Sequence, residues 1–146
     1  MANGGAVILS FFDGGGVLAW ALINVLKVPI RKYISVECDD DAHNALLANV
    51  PELKGKIVRV DDVRSTAAIQ KAIGEDVVDV FCSGSPCNGT AGRNHARATS
   101  KSVYEHPLSG LVKYVQKWHR ILKKAQRGSP YVTVLENVEA GVPIPQ

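Results

Sequence analysis

The hydrophobic pattern alternates between short apolar, β-branched runs and longer segments in which apolar residues recur at helical spacing. This alternation predicts a parallel sheet covered by helices, because each crossover between parallel strands needs a connecting helix. Turn-forming residues separate the runs. The predicted strands are Ala6–Phe11, Tyr33–Val36, Lys56–Val60, Val77–Cys82 and Tyr131–Leu135, and the predicted helices are Val17–Lys27, Asp39–Asn49, Ser65–Ile73 and Leu108–Arg127.

Five strands joined by helical crossovers predict a single α/β domain over residues 1–146, with a doubly wound, mostly parallel, Rossmann-like sheet. Right-handed crossovers give the strand order 3-2-1-4-5, and the sheet is expected to end after strand five. Ligands of such sheets bind at the carboxyl ends of the strands. The residues that directly follow each strand are therefore expected to share one rim.

Two of the predicted helices differ in character. Val17–Lys27 is apolar on nearly every side, which predicts a buried helix. Leu108–Arg127 is amphipathic, with an apolar stripe along one side and basic residues at helical spacing along another. The basic residues are Lys113, Lys117, Arg120 and Lys124.

The composition is that of a globular protein, with 46% hydrophobic and 21% charged residues. No apolar run approaches the roughly 20 residues of a membrane helix, and no secretory signal is evident. We therefore expect a soluble intracellular protein without membrane contact. Three cysteines do not favour a disulfide scaffold, and none has the spacing of a metal site, so no metal is expected.

The net charge of +3 is unevenly distributed along the chain. Residues 1–88 hold 8 Lys or Arg against 11 Asp or Glu, whereas residues 89–127 hold 9 Lys or Arg against one Glu. A concentrated basic segment is what a polyanion-binding surface requires. Charge alone leaves a solvated helix face as an equal alternative.

The predicted rim carries residues suited to a nucleoside-containing ligand. A glycine turn, residues 12–16, follows the first strand and lets the backbone approach a ligand, although such a turn can also simply join a strand to a helix. Glu37 follows the second strand, where an acid can accept hydrogen bonds from a ribose diol. Asp62 and Val63 follow the third strand, where the carboxylate can accept a hydrogen bond from an exocyclic amine and the valine can pack on the face of a ring. The alternative for each acid is an ordinary surface carboxylate.

A cysteine and a carboxylate are predicted on neighbouring strand tips. Cys87 follows the fourth strand on a turn stiffened by Pro86, and its functional interpretation is favoured over a buried structural cysteine, which suits Cys82 better. Glu136 follows the fifth strand, although it is also explained as an ordinary loop acid. A nucleophile beside an acid is a catalytic arrangement.

These motifs, taken in order, resemble the carbon-5 cytosine methyltransferases. The family signature runs Phe-x-Gly-x-Gly, an acid after strand two, Asp after strand three, Pro-Cys and Glu-Asn-Val. The form around Cys87 is closest to the eukaryotic de novo DNA methyltransferases, and the resemblance covers roughly residues 6–140. The matching residues are Phe12-Asp13-Gly14-Gly15-Gly16, Glu37, Asp62, Pro86-Cys87 and Glu136-Asn137-Val138.

The resemblance implies S-adenosylmethionine as the cofactor. Phe12 is then expected to pack on the adenine, Gly14 and Gly16 to admit the methionine portion, and Glu37 to hold the ribose. Asp62 with Val63 is expected to contact the adenine.

The resemblance also implies that Cys87 attacks carbon-6 of a flipped cytosine in DNA while Glu136 protonates ring N3 and Asn137 positions these groups. Arg93 and Arg97 belong to the segment Gly89–His106, which matches the family's loop over the target base, and phosphate contacts are expected there. Asn88, which directly follows Cys87, is also expected to bind the nucleic acid. A nuclear location follows if the source is eukaryotic.

The sequence also departs from the family. The family continues past Glu-Asn-Val with a Gln-x-Arg-x-Arg segment, a target recognition region and a late segment that completes the cofactor site. We find none of these here, so a missing C-terminal region or a partner chain is expected to complete the site. Two alternatives stay open: a non-catalytic relative that binds a partner or DNA, and a methyltransferase that acts on tRNA.

Overall fold

A parallel sheet of five strands forms the centre of the molecule, in a computed structural model that describes residues 4–84, 109–126, 129 and 131–136. The strand order is β3-β2-β1-β4-β5, and every pair of neighbours is parallel. The doubly wound sheet and its order are therefore as predicted. The strands are β1 (Ala6–Phe11), β2 (Ile30–Val36), β3 (Ile57–Val60), β4 (Val80–Gly84) and β5 (Val132–Glu136).

Four α-helices lie between these strands in the part of the chain that the structure describes. α1 (Val17–Trp20) continues directly into a π-helical segment, Ala21–Val25. The acidic helix start was predicted correctly, because the Asp39 carboxylate accepts hydrogen bonds from the amides of Asp41 and Ala42 and so caps the helix. The other helices are α2 (Asp40–Asn49), α3 (Thr66–Ile73) and α4 (Val112–Ala125), and short 3-10 turns span Pro51–Leu53 and Ser109–Leu111.

Strand β4 begins three residues later than the hydrophobic pattern predicts, and Asp79 explains the difference. The Asp79 carboxylate accepts a 2.8 Å hydrogen bond from the amide of Val7, and its own amide donates to the carbonyl of Val7 at 2.9 Å. Val77, the predicted first residue, is exposed. The side chain of Asp79 thus takes the place of a ladder partner at the start of β1, and the regular ladder begins at Val80.

The two faces of the sheet carry separate hydrophobic layers. Alternate residues of β1 point to opposite faces, as the two-residue period of a strand requires. On one face, Phe11 packs edge-to-face against Phe81 and Trp118, with ring centroids 5.2 and 6.3 Å apart, beneath α3 and α4. On the other face, Ile8 and Leu46 belong to the layer beneath α1 and α2.

The prediction that the first helix is buried was wrong. Only Ala19 and Leu22 of α1 and its π-helical extension are buried, whereas Val17 is 78% and Leu26 67% exposed. A helix lying on a sheet buries one side, and burial all round needs a second covering layer. No described residue supplies that layer.

Within the described residues, no helix has the length and apolar character needed to cross a membrane.

The outer edge of the sheet is apolar at β5. This strand pairs only with β4 among the described strands, so its outer backbone groups face away from the sheet. Val132, Val134 and Leu135 are all exposed. Residues from both faces of β5 are therefore accessible, unlike those of β1, where every residue is buried.

Candidate active site

The carboxyl ends of the five parallel strands lie along one rim of the sheet, as the parallel topology requires. The glycine turn that follows β1 is at the centre of this rim. Glu37 directly follows β2, and Glu136 is the last residue of β5. The topology therefore places the described residues that the sequence predicts for the site along one rim.

The glycine turn holds backbone conformations that favour glycine. Gly14 and Gly16 have φ angles of 51° and 81°, and Phe12 adopts 60° while its amide donates to the carbonyl of Val36 at 3.0 Å. A Cβ at Gly16 would overlap Leu46 Cδ1, whereas a Cβ at Gly14 would meet nothing within 4 Å. Gly16 therefore permits close packing of α2, and Gly14 borders open space.

Glu37 connects three parts of the rim. Its Oε2 accepts a hydrogen bond from the Gly14 amide at 3.3 Å, and its Oε1 accepts one from the Asp39 amide at 3.0 Å. The side chain is only 9% exposed. Each carboxylate oxygen has two lone pairs, so each retains one acceptor position after these bonds. The acid is thus oriented beside the open face of the glycine turn.

Asp62 and Val63 lie at the end of β3, in different environments. The Asp62 carboxylate accepts hydrogen bonds from the backbone amide of Arg64 at 2.8 Å and from its Nε at 2.9 Å. These hydrogen bonds lower the pKa of Asp62 and keep it ionised. Val63 is 7% exposed and belongs to the layer beneath α3 and α4, so only a small part of it is accessible.

Asp13 forms a buried polar cluster that the sequence interpretation missed. Its Oδ1 accepts hydrogen bonds from the hydroxyls of Ser10 and Tyr33, the latter at 2.7 Å, while Oδ2 has no partner among the described residues. Burial raises the pKa of Asp13, and the hydrogen bond from Ser10 opposes the rise. The cluster anchors the glycine turn to β1 and β2. The available signal was the polar residues Ser10 and Ser35 within apolar strands.

Glu136 lies beside the end of β4. It pairs in register with Gly84, and its Oε2 would be 3.6 Å from a Cβ at that glycine. The carbonyl oxygen of Phe12 is on the same side of Gly84, at 3.5 Å from the same point. The predicted pairing of strands four and five is therefore confirmed, and Glu136 also lies near the glycine turn, while its proximity to Cys87 stays a prediction.

The structure separates the cysteines by environment. Cys82 is buried in β4, its thiol lies 3.6 Å from the carbonyl oxygen of Leu9, and burial raises its pKa to about 12. Cys82 is therefore structural, as predicted, and Cys38 is an exposed free thiol. The remaining predicted site residues, Cys87, Asn88, Arg93, Arg97 and Asn137, lie outside the described residues.

The residues present on the rim fit an adenosyl cofactor. Gly14 leaves open space, and beside it Glu37 offers two acceptor positions to hydroxyl donors. Asp62 offers an ionised carboxylate nearby along the same rim. The described residues contain no group of three or more His, Cys, Asp or Glu side chains that could hold a metal ion.

Solved structures similar to this chain include two that are described as methyltransferases. PH1948 from Pyrococcus horikoshii, described as a candidate RNA methyltransferase, is 27% identical, with a TM-score of 0.43 over 65% of this chain and 41% of that one. PH0851 is 19% identical, with a TM-score of 0.50 over 89% and 28%. The methyltransferase domain of METTL16 is 17% identical, with a TM-score of 0.47 over 87% and 53%. The chain thus spans about half or less of these structures.

The sequence comparisons are more specific about family. No curated protein matches the chain at a significant level. A family model for the C-5 cytosine-specific DNA methylases matches residues 7–142, which include the five strands, apart from Ala6 at the start of β1, and the residues of the rim. The chain belongs to the C-5 cytosine-specific DNA methylase family.

Proposed function

We propose that this chain is the cofactor-binding and catalytic part of a DNA cytosine-5 methyltransferase that uses Cys87 as its nucleophile. The observation that supports this proposal most directly is the position of Glu136 beside Gly84. Cys87 follows Gly84 by three residues, so chain connectivity limits the distance between the Cα atoms of Gly84 and Cys87 to about 11 Å. A thiol and a carboxylate would then act on one substrate ring.

The cofactor in this proposal is S-adenosylmethionine, which supplies an electrophilic methyl group. Glu37 would accept hydrogen bonds from the ribose hydroxyls with the acceptor positions that Gly14 and Asp39 leave free. The methionine portion would pass the open side of Gly14, while Gly16 keeps α2 close to the turn. Phe12 would contact the adenine ring.

The end of β3 would complete the adenine contacts. Asp62 would accept a hydrogen bond from the exocyclic amine through a lone pair that Arg64 does not use. Val63 would contribute the small accessible part of its side chain to the edge of the ring, because most of it is packed in the core.

In the catalytic step, the thiolate of Cys87 adds to carbon-6 of cytosine and Glu136 hydrogen-bonds and protonates ring N3. Electron density then accumulates at carbon-5, which makes that carbon nucleophilic enough to accept a methyl group. The methyl donor would depart as S-adenosylhomocysteine. Loss of the carbon-5 proton to water and cleavage of the sulfur–carbon bond would then release the Cys87 thiolate, and return of the N3 proton to Glu136 would restore the free enzyme. Asn137, the residue after Glu136, would help to position the carboxylate.

Reaching these ring atoms requires the cytosine to leave the duplex, which costs a few kcal/mol. Arg93 and Arg97, with Asn88, would contact the DNA around the extruded base, and their charge suits its phosphates. Because this sequence shows neither the family's Gln-x-Arg-x-Arg segment nor its target recognition region, a further segment or a partner chain would supply target recognition. A nuclear location would follow in a eukaryotic cell.

The test is covalent trapping on duplex DNA that contains 5-fluorocytosine, in the presence of S-adenosylmethionine. The unaltered chain is expected to form an adduct that survives denaturing electrophoresis, because fluorine at carbon-5 blocks the final elimination. Cys87→Ala should abolish the adduct, and Cys38→Ala, at an exposed cysteine, is the matched control. An adduct that persists in Cys87→Ala would show that the nucleophile is another group.

Two further measurements separate the alternatives. Tritiated S-adenosylmethionine is incubated with duplex DNA or with tRNA, and the label transferred is counted. If the label is transferred to tRNA and not to DNA, tRNA becomes the proposed substrate in place of DNA. Cofactor binding in isothermal titration calorimetry, without transfer to either nucleic acid, would favour a non-catalytic relative instead.

A further inference from the structure

Helix α4 carries a straight row of basic side chains on its outer side. Lys113, Lys117, Arg120 and Lys124 are spaced by four, three and four residues, so they lie within a narrow sector of the helix, and all four are exposed. We call these four residues the basic stripe. With a rise of 1.5 Å per residue, the stripe is about 16 Å long.

The side of α4 opposite the basic stripe is fixed in the core. Val115, Trp118 and Leu122 are buried, and Trp118 packs against Phe11. The apolar face is therefore not available for insertion into a bilayer, which a membrane-surface helix requires. The orientation of α4 is thereby set, and the basic stripe faces outward.

The charges of the basic stripe are not neutralised within the described residues. The four cations that form ion pairs there are Arg31, Lys32, Arg59 and Arg64, all in the first half of the chain. Helix α4 contains no Asp or Glu, and it carries a fifth exposed cation, Lys123. Like charges three or four residues apart disfavour a helix, and a solvated face usually mixes both signs. An unmixed face of this kind suits a polyanion.

The basic stripe begins near the catalytic rim. Lys117 Nζ donates a 2.8 Å hydrogen bond to Thr66 Oγ1, at the start of α3 and shortly after the rim residue Asp62. At the other end, the side chain of Gln126 makes hydrogen bonds of 3.0 and 2.9 Å with the backbone of Val78, just before β4. The basic stripe therefore runs from the rim, at the carboxyl ends of the strands, toward the amino ends of the strands.

We propose that the basic stripe of α4 binds the sugar-phosphate backbone of a double-stranded nucleic acid, as a contact surface outside the catalytic rim. Its cations are spaced along a line, and a duplex presents phosphates along a line, so several contacts can form together. Contacts to phosphates are independent of sequence and release counterions, which makes binding depend strongly on salt.

The test measures binding by fluorescence anisotropy to an A·T duplex that contains no cytosine, with no cofactor present. The stripe variant combines Lys113→Gln, Lys117→Gln, Arg120→Gln and Lys124→Gln. The matched control combines Lys27→Gln, Lys54→Gln, Lys56→Gln and Lys71→Gln, which removes the same charge from exposed lysines elsewhere. Circular dichroism checks that both variants are folded. Dissociation constants are measured between roughly 50 and 200 mM salt.

The stripe variant is expected to bind at least about tenfold more weakly at low salt, while the control binds nearly as well as the unaltered chain. The slope of log affinity against log salt should become shallower by about 0.9 for each phosphate that the stripe variant no longer neutralises. An unchanged slope in the stripe variant, or an equal weakening in the control, would overturn the proposal. Stripe-dependent binding to phosphatidylserine vesicles without duplex binding would overturn it too.

A second set of binding measurements uses an A·U RNA duplex, which tests whether the surface distinguishes ribose from deoxyribose. Stripe-dependent binding of either duplex supports a phosphate-backbone surface, because both present the same anionic groups. The probe contains neither cytosine nor a methyl donor, so the result is independent of the proposed methyl transfer. A chain that fails to methylate DNA can still pass this test, and an active chain can fail it.

Discussion

The Gly14 amide donates a 3.3 Å hydrogen bond to Oε2 of Glu37, and this bond links the turn after β1 to the acid after β2. The two residues are 23 positions apart in the sequence and come together only because their strands are neighbours in the sheet. The carboxylate is thereby oriented before any ligand binds. Preorganisation of this kind lowers the entropic cost of binding.

Glu37→Gln is expected to weaken S-adenosylmethionine binding by about tenfold to a hundredfold. The amide replaces one acceptor oxygen with a donor, so either a backbone amide or a ribose hydroxyl loses its partner; a hydrogen bond to a charged group is worth about 1.5–3 kcal/mol. Isothermal titration calorimetry measures the effect. Glu75→Gln, at an exposed acid, is the control. Equal affinities in the two variants would exclude Glu37 from the cofactor site.

Gly16→Ala is expected to destabilise the fold by about 2 to 4 kcal/mol, from overpacking and from a left-handed backbone angle. The added methyl group would overlap the side chain of Leu46, which is fixed in the core. Gly14→Ala has open space, so its cost should be limited to about 1 to 2 kcal/mol of backbone strain. Urea denaturation compares the two variants, and similar decreases in stability would contradict the packing role of Gly16.

Gly14→Ala should nevertheless impair the proposed cofactor site. Its methyl group would extend into the space that is assigned to the methionine portion. We expect weaker S-adenosylmethionine binding at temperatures where the variant is fully folded. Unimpaired binding would mean that the cofactor does not pass this glycine.

Asp13→Asn is expected to change how stability depends on pH. Burial raises the pKa of Asp13 above its ordinary value of 3.8, so the folded chain holds a proton that the unfolded chain releases. The stability contributed by this group is therefore complete below the unfolded value and is lost as the pH rises through the folded value. The variant lacks this loss, so its stability relative to the unaltered chain should increase with pH.

Urea unfolding at a series of pH values measures this difference. The titratable neighbours of Asp13 are Tyr33, Glu37 and Cys82. Asp76→Asn is the control with the opposite sign, because hydrogen bonds from Lys32 and Arg31 lower the pKa of Asp76. That contribution is lost as the pH falls. Parallel stability curves for Asp13→Asn and the unaltered chain would refute the role assigned to Asp13.

The two tryptophans should respond very differently to truncation. Trp118 is 1% exposed and contacts Phe11, so Trp118→Ala is expected to cost about 3 to 5 kcal/mol of unfolding free energy. Trp20 is 47% exposed on α1, and Trp20→Ala should cost less than about 1 kcal/mol. Guanidinium denaturation distinguishes them. A large cost at Trp20 would indicate that this face of α1 is covered in solution.

The sheet was predictable because its order depends on crossover handedness, a rule that needs only the sequence of elements. Glu37 and Glu136 were placed correctly on the rim for the same reason. The exposed face of α1 was not predictable, because its apolar residues indicate burial without showing what buries them. The cluster at Asp13 also escaped prediction, since Tyr33 lies 20 positions away and meets the acid only through the pairing of β1 with β2.

The open edge of β5 has a mechanical consequence for Glu136. A strand with unpaired outer amides can accept another strand, and backbone pairing stiffens both. Glu136 is the last residue of β5, so its carboxylate lies at the end of a strand that pairs on one side only within the described sheet. Any segment that extended the sheet there would stabilise the position of the acid. The proton transfer that we propose for Glu136 would then depend on an added strand that does not itself contact the substrate.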